Sequence, residues 1–203
     1  LEEDARSFRF EFLFAANPFF EDAVLTKTYK LDEDGQPDDV IGCDINKEVV
    51  DLINMGEVPF PGETNLAELL LQVRQEDLLK ASIDTTQAVQ LADTVVVVVP
   101  VIVDETAKPD FSAIDSATRD IAGGLKQNTL ICYETTLPIG TTRNRFGPLL
   151  QEISGLDYET DFYLAYSPER VFSGRIFADL RTYPKLVGGI NDQSTQRAIT
   201  FYE

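Results

Sequence analysis

The chain of 203 residues has no histidine, two cysteines, and 17 basic residues against 35 acidic ones. Each shortage closes off a class of chemistry. Without His or paired Cys, the usual nitrogen- and sulfur-rich metal centres lack a ligand set, so no metal site is expected. Cys43 and Cys132 each lie inside an apolar strand pattern and read as reduced core residues, with no disulfide framework. The net charge of −18 repels nucleic acid and anionic membrane, both of which need basic patches, so neither is an expected partner. The same acidity suits a cytoplasmic enzyme or a protein living in high salt. No signal-peptide pattern is visible, and no apolar run approaches the ~18 residues of a membrane span. The longest, Val95 to Val103, is interrupted by Pro100 and reads as a buried strand.

What is present is ordinary for a globular protein: 43% hydrophobic residues and enough length for one large domain, or one and a half, with a sizeable core. Residues 1 to 25 are ambiguous. Phe8, Phe10, Phe12 and Phe14 alternate like a strand, while Phe10, Leu13 and Phe14 also fit a helix face. Residues 26 to 39 are polar, with an Asp34-Gly35 turn signal, and read as an insertion forming the tip of a hairpin. Val40 to Asp44 reads as a buried strand ending in a carboxylate. A helix follows with Val49, Val50 and Ile53 on one face and a stop at Gly56, then a second with Leu66, Leu69, Leu70 and Val73. Ser82 to Thr86 is a short strand and turn. Thr94 to Val99 is a β-branched run of the kind found in a central parallel strand covered on both faces. Asp110 to Leu125 is helical, with Ile114, Ile121 and Leu125 inward. Pro184 to Gly189 is one more strand and turn. Strands alternating with helices at this spacing predict an α/β fold with a doubly wound, mainly parallel sheet.

The most informative stretch is Leu130 to Arg175. The strand Leu130 to Tyr133 runs into Glu134-Thr135-Thr136-Leu137-Pro138-Ile139-Gly140-Thr141-Thr142, and a helix follows with Phe146, Leu149, Leu150 and Ile153 on one face. The strand Phe162 to Tyr166 then runs into Ser167-Pro168-Glu169-Arg170-Val171-Phe172-Ser173-Gly174-Arg175. Loops at the carboxyl ends of parallel strands are where such sheets bind ligands. The order E-T-T-x-P-x-G-T-T then Y-S-P-E-R-V-x-x-G-R resembles the UDP-glucose/GDP-mannose dehydrogenase family. Pro-Glu-Arg-Val is closer to the branch acting on UDP-N-acetylmannosamine and UDP-N-acetylglucosamine than to the UDP-glucose branch, which has an apolar residue where Arg170 stands.

The resemblance implies a Rossmann-like domain binding NAD, in an enzyme that oxidises C6 of a UDP-sugar to the uronate in two steps, through a covalent thioester on a Cys. It further implies a cytoplasmic homo-oligomer serving polysaccharide biosynthesis. Glu169 corresponds to a family carboxylate that acts as a base or orients the hydrolytic water, and Thr136 to a hydroxyl at the reacting centre. Asp44 corresponds to the acid that accepts from the adenosine ribose, although it could simply cap the following helix. Thr135, Glu134 and the backbone of Val99 and Pro100 fall on the cofactor side, and Arg170 and Arg175 could bind phosphate or sugar carboxylate. Leu13 to Glu21 resembles the end of the family's first helix. Gly140 and Thr141 read as turn and cap residues.

The departures matter as much. The first glycine is Gly35, so no G-x-G-x-x-G precedes Asp44, and the amide cradle for the pyrophosphate is missing. Val49 stands where the family often has Lys. Val101-Ile102-Val103-Asp104 follows Pro100 in place of the usual Thr-Pro. Neither cysteine matches the catalytic one. The chain starts at Leu1 and ends within a helix predicted from near Asp192, so a fragment truncated at both ends is expected: residues 1 to 203 as an NAD-binding domain lacking its first strand and Gly-rich loop, without the central helical and C-terminal domains, and inactive alone. The alternative is a non-catalytic binding or regulatory module of the same family.

Overall fold

The computed structural model describes residues 26–31, 37–60, 62–63, 65–171, 174 and 176–202. The alternating phenylalanines, the helix expected at Leu13 to Glu21, and Arg175 lie outside these residues. In chain order the elements are β1 (Thr26–Leu31), β2 (Pro37–Cys43), α1 (Lys47–Met55), α2 (Leu66–Gln75), β3 (Leu79–Ser82), α3 (Thr85–Leu91), β4 (Thr94–Val97), β5 (Ile102–Val103), β6 (Pro109–Asp110), α4 (Ser112–Gly124), β7 (Leu130–Tyr133), α5 (Gly147–Ser154), β8 (Tyr163–Tyr166), α6 (Ile176–Thr182), β9 (Gly188–Gly189) and α7 (Asp192–Tyr202). A π-helical turn, Thr142–Phe146, leads into α5.

Seven strands form one sheet in the order β3-β2-β1-β4-β7-β8-β9. Five run parallel; β1 and β9 run against them. This is the strand order of a dinucleotide-binding fold, with the reversal of chain progression between β1 and β4. The β-branched run behaves as expected, since β4 is buried throughout and pairs in parallel with β7. The place of a first parallel strand is taken by β1, a hairpin strand antiparallel to both β2 and β4.

Period-two alternation distributes the core. Val95, Val97, Ile131, Tyr133 and Leu164 pack on α3, α4 and α5 on one face. Val96 and Val98 meet α1 and α2 on the other, and Leu130, Cys132 and Ala165 meet α7 on that face. The two faces together remove enough apolar surface for the sheet to be the centre of a two-sided core.

The helix boundaries follow local chemistry. Asn46 caps α1 by accepting from the Glu48 amide at 2.9 Å, and Gly56, at φ 78°, ends it in the left-handed region open to glycine. Short α3, absent from the sequence reading, starts where Asp84 accepts from the Gln87 amide at 2.9 Å. The long hydrophobic face of α5 is one residue narrower than expected: Phe146, Leu149 and Leu150 are buried, while Ile153 in the last turn is exposed. Only Gly188–Gly189 of the expected last strand pairs with the sheet. There a Cβ on Gly189 would lie 2.3 Å from the Thr195 amide nitrogen, so only glycine lets α7 start this close to the sheet edge.

Candidate active site

The strand ladder continues past the strand ends at one sheet edge. The amide of Asp44 donates to Ser82 O at 3.2 Å, that of Glu134 to Val97 O at 2.9 Å, and that of Ser167 to Tyr133 O at 2.9 Å. All three expected loops, after β2, β7 and β8, therefore leave the carboxyl edge side by side.

Asp44 is almost fully buried at the end of β2. Its Oδ1 accepts from the Asn46 amide at 2.7 Å, and its Oδ2 has no partner among the described residues. Helix capping belongs to Asn46, so Asp44 is not itself the cap of α1. Burial pushes its carboxyl up to about 6, partly offset by the Asn46 hydrogen bond. A buried acceptor without a donor costs free energy in the folded protein unless something else supplies one.

After β7, the Thr135 hydroxyl donates to Val99 O at 2.6 Å, tying this loop to the one after β4. One lone pair of the Val99 carbonyl is thereby engaged by the protein itself. Thr136, the next residue, is exposed. Thr141 is no side-chain cap; its hydroxyl donates to Pro138 O at 2.8 Å, while Gly140 sits at φ 84° as the turn residue. An apolar groove of about 260 Å³, lined in part by Leu137, Ile139, Arg143, Tyr166 and Ile190, opens beyond Thr136.

Glu169 follows Pro168 in the loop after β8, with its side chain 8% exposed. Its Oε2 lies 2.6 Å from Lys185 Nζ, and its Oε1 accepts from the Arg170 amide at 2.7 Å. Arg170 is exposed and its guanidinium donates to the Pro184 carbonyl, which fastens the Glu169 loop to the segment carrying Lys185. Glu134 is fully buried: Oε1 is 2.9 Å from Lys185 Nζ and accepts from the Tyr202 hydroxyl at 2.5 Å, and Oε2 is unpartnered among the described residues.

Lys185 and Tyr202 were missed by sequence reading. The only hint was a lone Lys at the head of an apolar strand pattern; nothing local announced Tyr202. Cys132, on the same face as Glu134, is buried with its Sγ 3.2 Å from the Tyr202 hydroxyl oxygen, while Cys43 is buried below Asp44 with its thiol pushed up to about 12 by desolvation. Neither reaches the sheet edge. Among the described residues, no cluster of His, Cys, Asp or Glu is placed to hold a metal ion, and no helix is long and apolar enough to cross a membrane.

Residues 29–203 match the NAD binding domain model of the UDP-glucose/GDP-mannose dehydrogenase family. The chain belongs to that family. UDP-N-acetyl-D-mannosamine dehydrogenase of Pyrococcus horikoshii is 32% identical over 166 residues, covering 81% of this chain and 38% of the relative. The Escherichia coli K12 enzyme of the same name is 31% identical over 170 residues, covering 81% and 39%. The crystal structure of NDP-N-acetyl-D-galactosaminuronic acid dehydrogenase from Methanosarcina mazei Go1 superposes with a TM-score of 0.75 at 33% identity, covering 81% of this chain and 36% of that one. The chain thus spans less than two-fifths of the length of these family members. A nucleosome assembly protein model also matches residues 1–54. Strand β1, which fills the sheet between β2 and β4, straddles the start of the dehydrogenase match, and Leu13 to Glu21 precede it.

The residues fit NAD at one end. Asp44, buried at the carboxyl end of β2 with a free oxygen, is the acceptor a ribose diol requires. At the pyrophosphate position the fit fails among the described residues. It is the amino end of β1, Thr26, that lies at this edge, opposite Val97, so no strand there leads through a glycine loop into a helix.

Proposed function

We propose that this chain is the NAD-binding domain of an NAD-dependent nucleotide-sugar 6-dehydrogenase that oxidises the C6 alcohol of a UDP-N-acetylhexosamine to the uronate. One observation carries the reading: Glu169, held at the carboxyl end of β8, is joined through its amide to Glu134 of the Thr135–Thr136 loop at the end of β7. Two polar loops from adjacent parallel strands converge where such sheets bind ligands. Asp44 would accept from the adenosine ribose, and the segment at Val99, Pro100 and Thr135 would lie along the cofactor. When bound, the nicotinamide supplies the hydride acceptor. Glu169 would take the proton of the C6 alcohol or orient water, with Thr136 on the neighbouring loop at the same sheet edge. Arg170 is a substrate-side residue through its charge and its hold on Pro184. The whole protein would be a cytoplasmic homo-oligomer in polysaccharide biosynthesis.

The test is a graft. Residues 40 to 190 replace the matching segment of the Pyrococcus horikoshii relative, which keeps its own flanking parts. NADH formation from UDP-N-acetyl-D-mannosamine supports the reading, and its absence in a folded, NAD-binding graft favours a non-catalytic module of the family.

A different observation favours a second reading for residues 1–54. They match the nucleosome assembly protein model and hold 14 acidic against 5 basic residues, half of the chain's charge excess. This suits contact with a basic protein. Salt-sensitive binding of core histones by the whole chain, lost when the acidic residues of this stretch are neutralised, would support it; no binding at low salt would end it.

A further inference from the structure

We propose that Lys185 is the positioning residue of the Glu169 carboxylate, fixing its orientation and holding it ionised, so that Lys185 sets the pH range over which Glu169 can receive a proton. The proposal deepens the reading of Glu169 given above and rests on it. Lys185 enters from the segment before β9, far from both acids in sequence. Its Nζ is 2.6 Å from Glu169 Oε2 and 2.9 Å from Glu134 Oε1, with side-chain exposures of 17%, 8% and 0%. The two carboxylates can be no further apart than these two contacts laid end to end. At that separation, in a site this dry, two carboxylates without a cation cannot both stay ionised, and one is forced to keep a proton.

Glu134 is held by a second group as well. It accepts from Tyr202, whose phenol is pushed well above its ordinary range by burial and by Glu134's charge and so stays a donor. Lys185 also lies 5.0 Å over the Tyr202 ring, a cation–π contact that fixes the ammonium from a third side. Both oxygens of Glu169 are thus held, one by the ammonium and one by the Arg170 amide at 2.7 Å. Among the described residues, the other titratable or charged groups facing this cluster include Cys132 on β7, the Arg170 guanidinium tied to Pro184, and Asp179 and Tyr183, which line the small cleft beside Glu169 and Lys185. Lys185 alone bridges two carboxylates here among the described residues.

The sign follows from the charges. Removing the ammonium favours the protonated acid, so the Glu169 titration moves up; removing the neighbouring negative charge at Glu134 moves it down. A strut with no electrostatic role would move neither.

The experiment is carboxyl ¹³C NMR titration of the whole chain labelled at glutamate, with the Glu169 resonance assigned by its loss in Glu169→Gln. Lys185→Met should tighten proton binding at Glu169 by about tenfold or more, Lys185→Arg should restore most of the original midpoint, and Glu134→Gln should lower it. An unmoved midpoint in a folded Lys185→Met chain overturns the proposal. If circular dichroism shows Lys185→Met unfolded, Glu134→Gln decides: a downward shift supports the link, and no shift or an upward one overturns it. The titration needs no substrate. A graft that makes no NADH while these shifts appear would sink the dehydrogenase reading of the site and leave the Lys185–Glu169 link standing.

Discussion

The amide of Glu169 donates to the carbonyl of Glu134 at 3.0 Å, so the loops that leave β7 and β8 are joined main chain to main chain. A side-chain change at Glu169 leaves this bond intact. That separates chemistry from architecture at the one position where the two are most easily confused.

Glu169→Gln in the grafted enzyme is therefore expected to lower kcat by about 10²- to 10⁴-fold, the usual worth of a positioned acid–base group. NAD affinity should stay within about threefold of the parent. Steady-state NADH formation together with calorimetric NAD titration checks both. Full turnover by Glu169→Gln would remove the carboxylate from the mechanism.

Asp44→Ala should weaken whatever NAD binding the chain has by about one to two decades, the equivalent of about 1.5–3 kcal/mol for a hydrogen bond to an ionised partner. Burial pushes the Asp44 carboxyl up to about 6, and in the proposed role ribose hydroxyls would donate to its ionised form. Affinity should therefore fall as pH drops through that value in the parent and stay flat in the variant. Calorimetry at pH 5 and pH 7.5 is the measurement, and equal affinities of the two chains at pH 7.5 would refute the ribose role.

The same carboxyl makes a stability prediction of opposite tone. Its folded value lies above the ordinary 3.8, so the folded state holds the proton more tightly than the unfolded one. That stabilisation is complete below about 3.8 and is lost as pH rises through about 6. Asp44→Asn removes the buried charge and should melt higher than the parent at pH 7.5, with the difference shrinking toward pH 4. Thermal unfolding across this range tests it; a variant that melts lower at pH 7.5 would show that Oδ2 is better satisfied than the geometry indicates.

The 203-residue chain alone should form no NADH from NAD and any UDP-N-acetylhexosamine. A thiolate is needed to carry an acyl intermediate. Cys43 and Cys132 are both fully buried, and desolvation holds the Cys43 thiol up at about 12. An aromatic disulfide reagent should find neither thiol in the native chain and both after denaturation. Rapid native labelling of either one, or sustained NADH formation, would contradict this.

How much of this could be read from the sequence depends on the range of the interaction. The central strands were legible because burial on both faces demands β-branched runs such as Val95–Val99, and the two loops because Pro, Gly, hydroxyl and carboxylate residues crowd at strand ends. The end of α1 was legible because a left-handed residue there calls for Gly56. By contrast α3 is only two turns long, and its capping Asp84 was read as part of a turn. Lys185 and Tyr202 reach Glu134 from 51 and 68 residues away, contacts that no local pattern encodes. The hairpin at residues 26 to 39 was legible from its Asp34-Gly35 turn signal, but the second pairing of β1, antiparallel to β4, was hidden, because a strand's composition does not name its neighbours.

That reversed strand has a consequence for solubility. β1 is hydrogen-bonded on both sides, to β2 and to β4. It splices the β3-β2 pair to the β4-β7-β8-β9 block along a line where each would otherwise show a bare edge. Peel it away, and the amides and carbonyls of β2 and β4 become templates for strand addition from another copy. β1 thus works as a gasket as well as a strand: the facing edges of β2 and β4 stay closed only while Thr26–Leu31 stays seated.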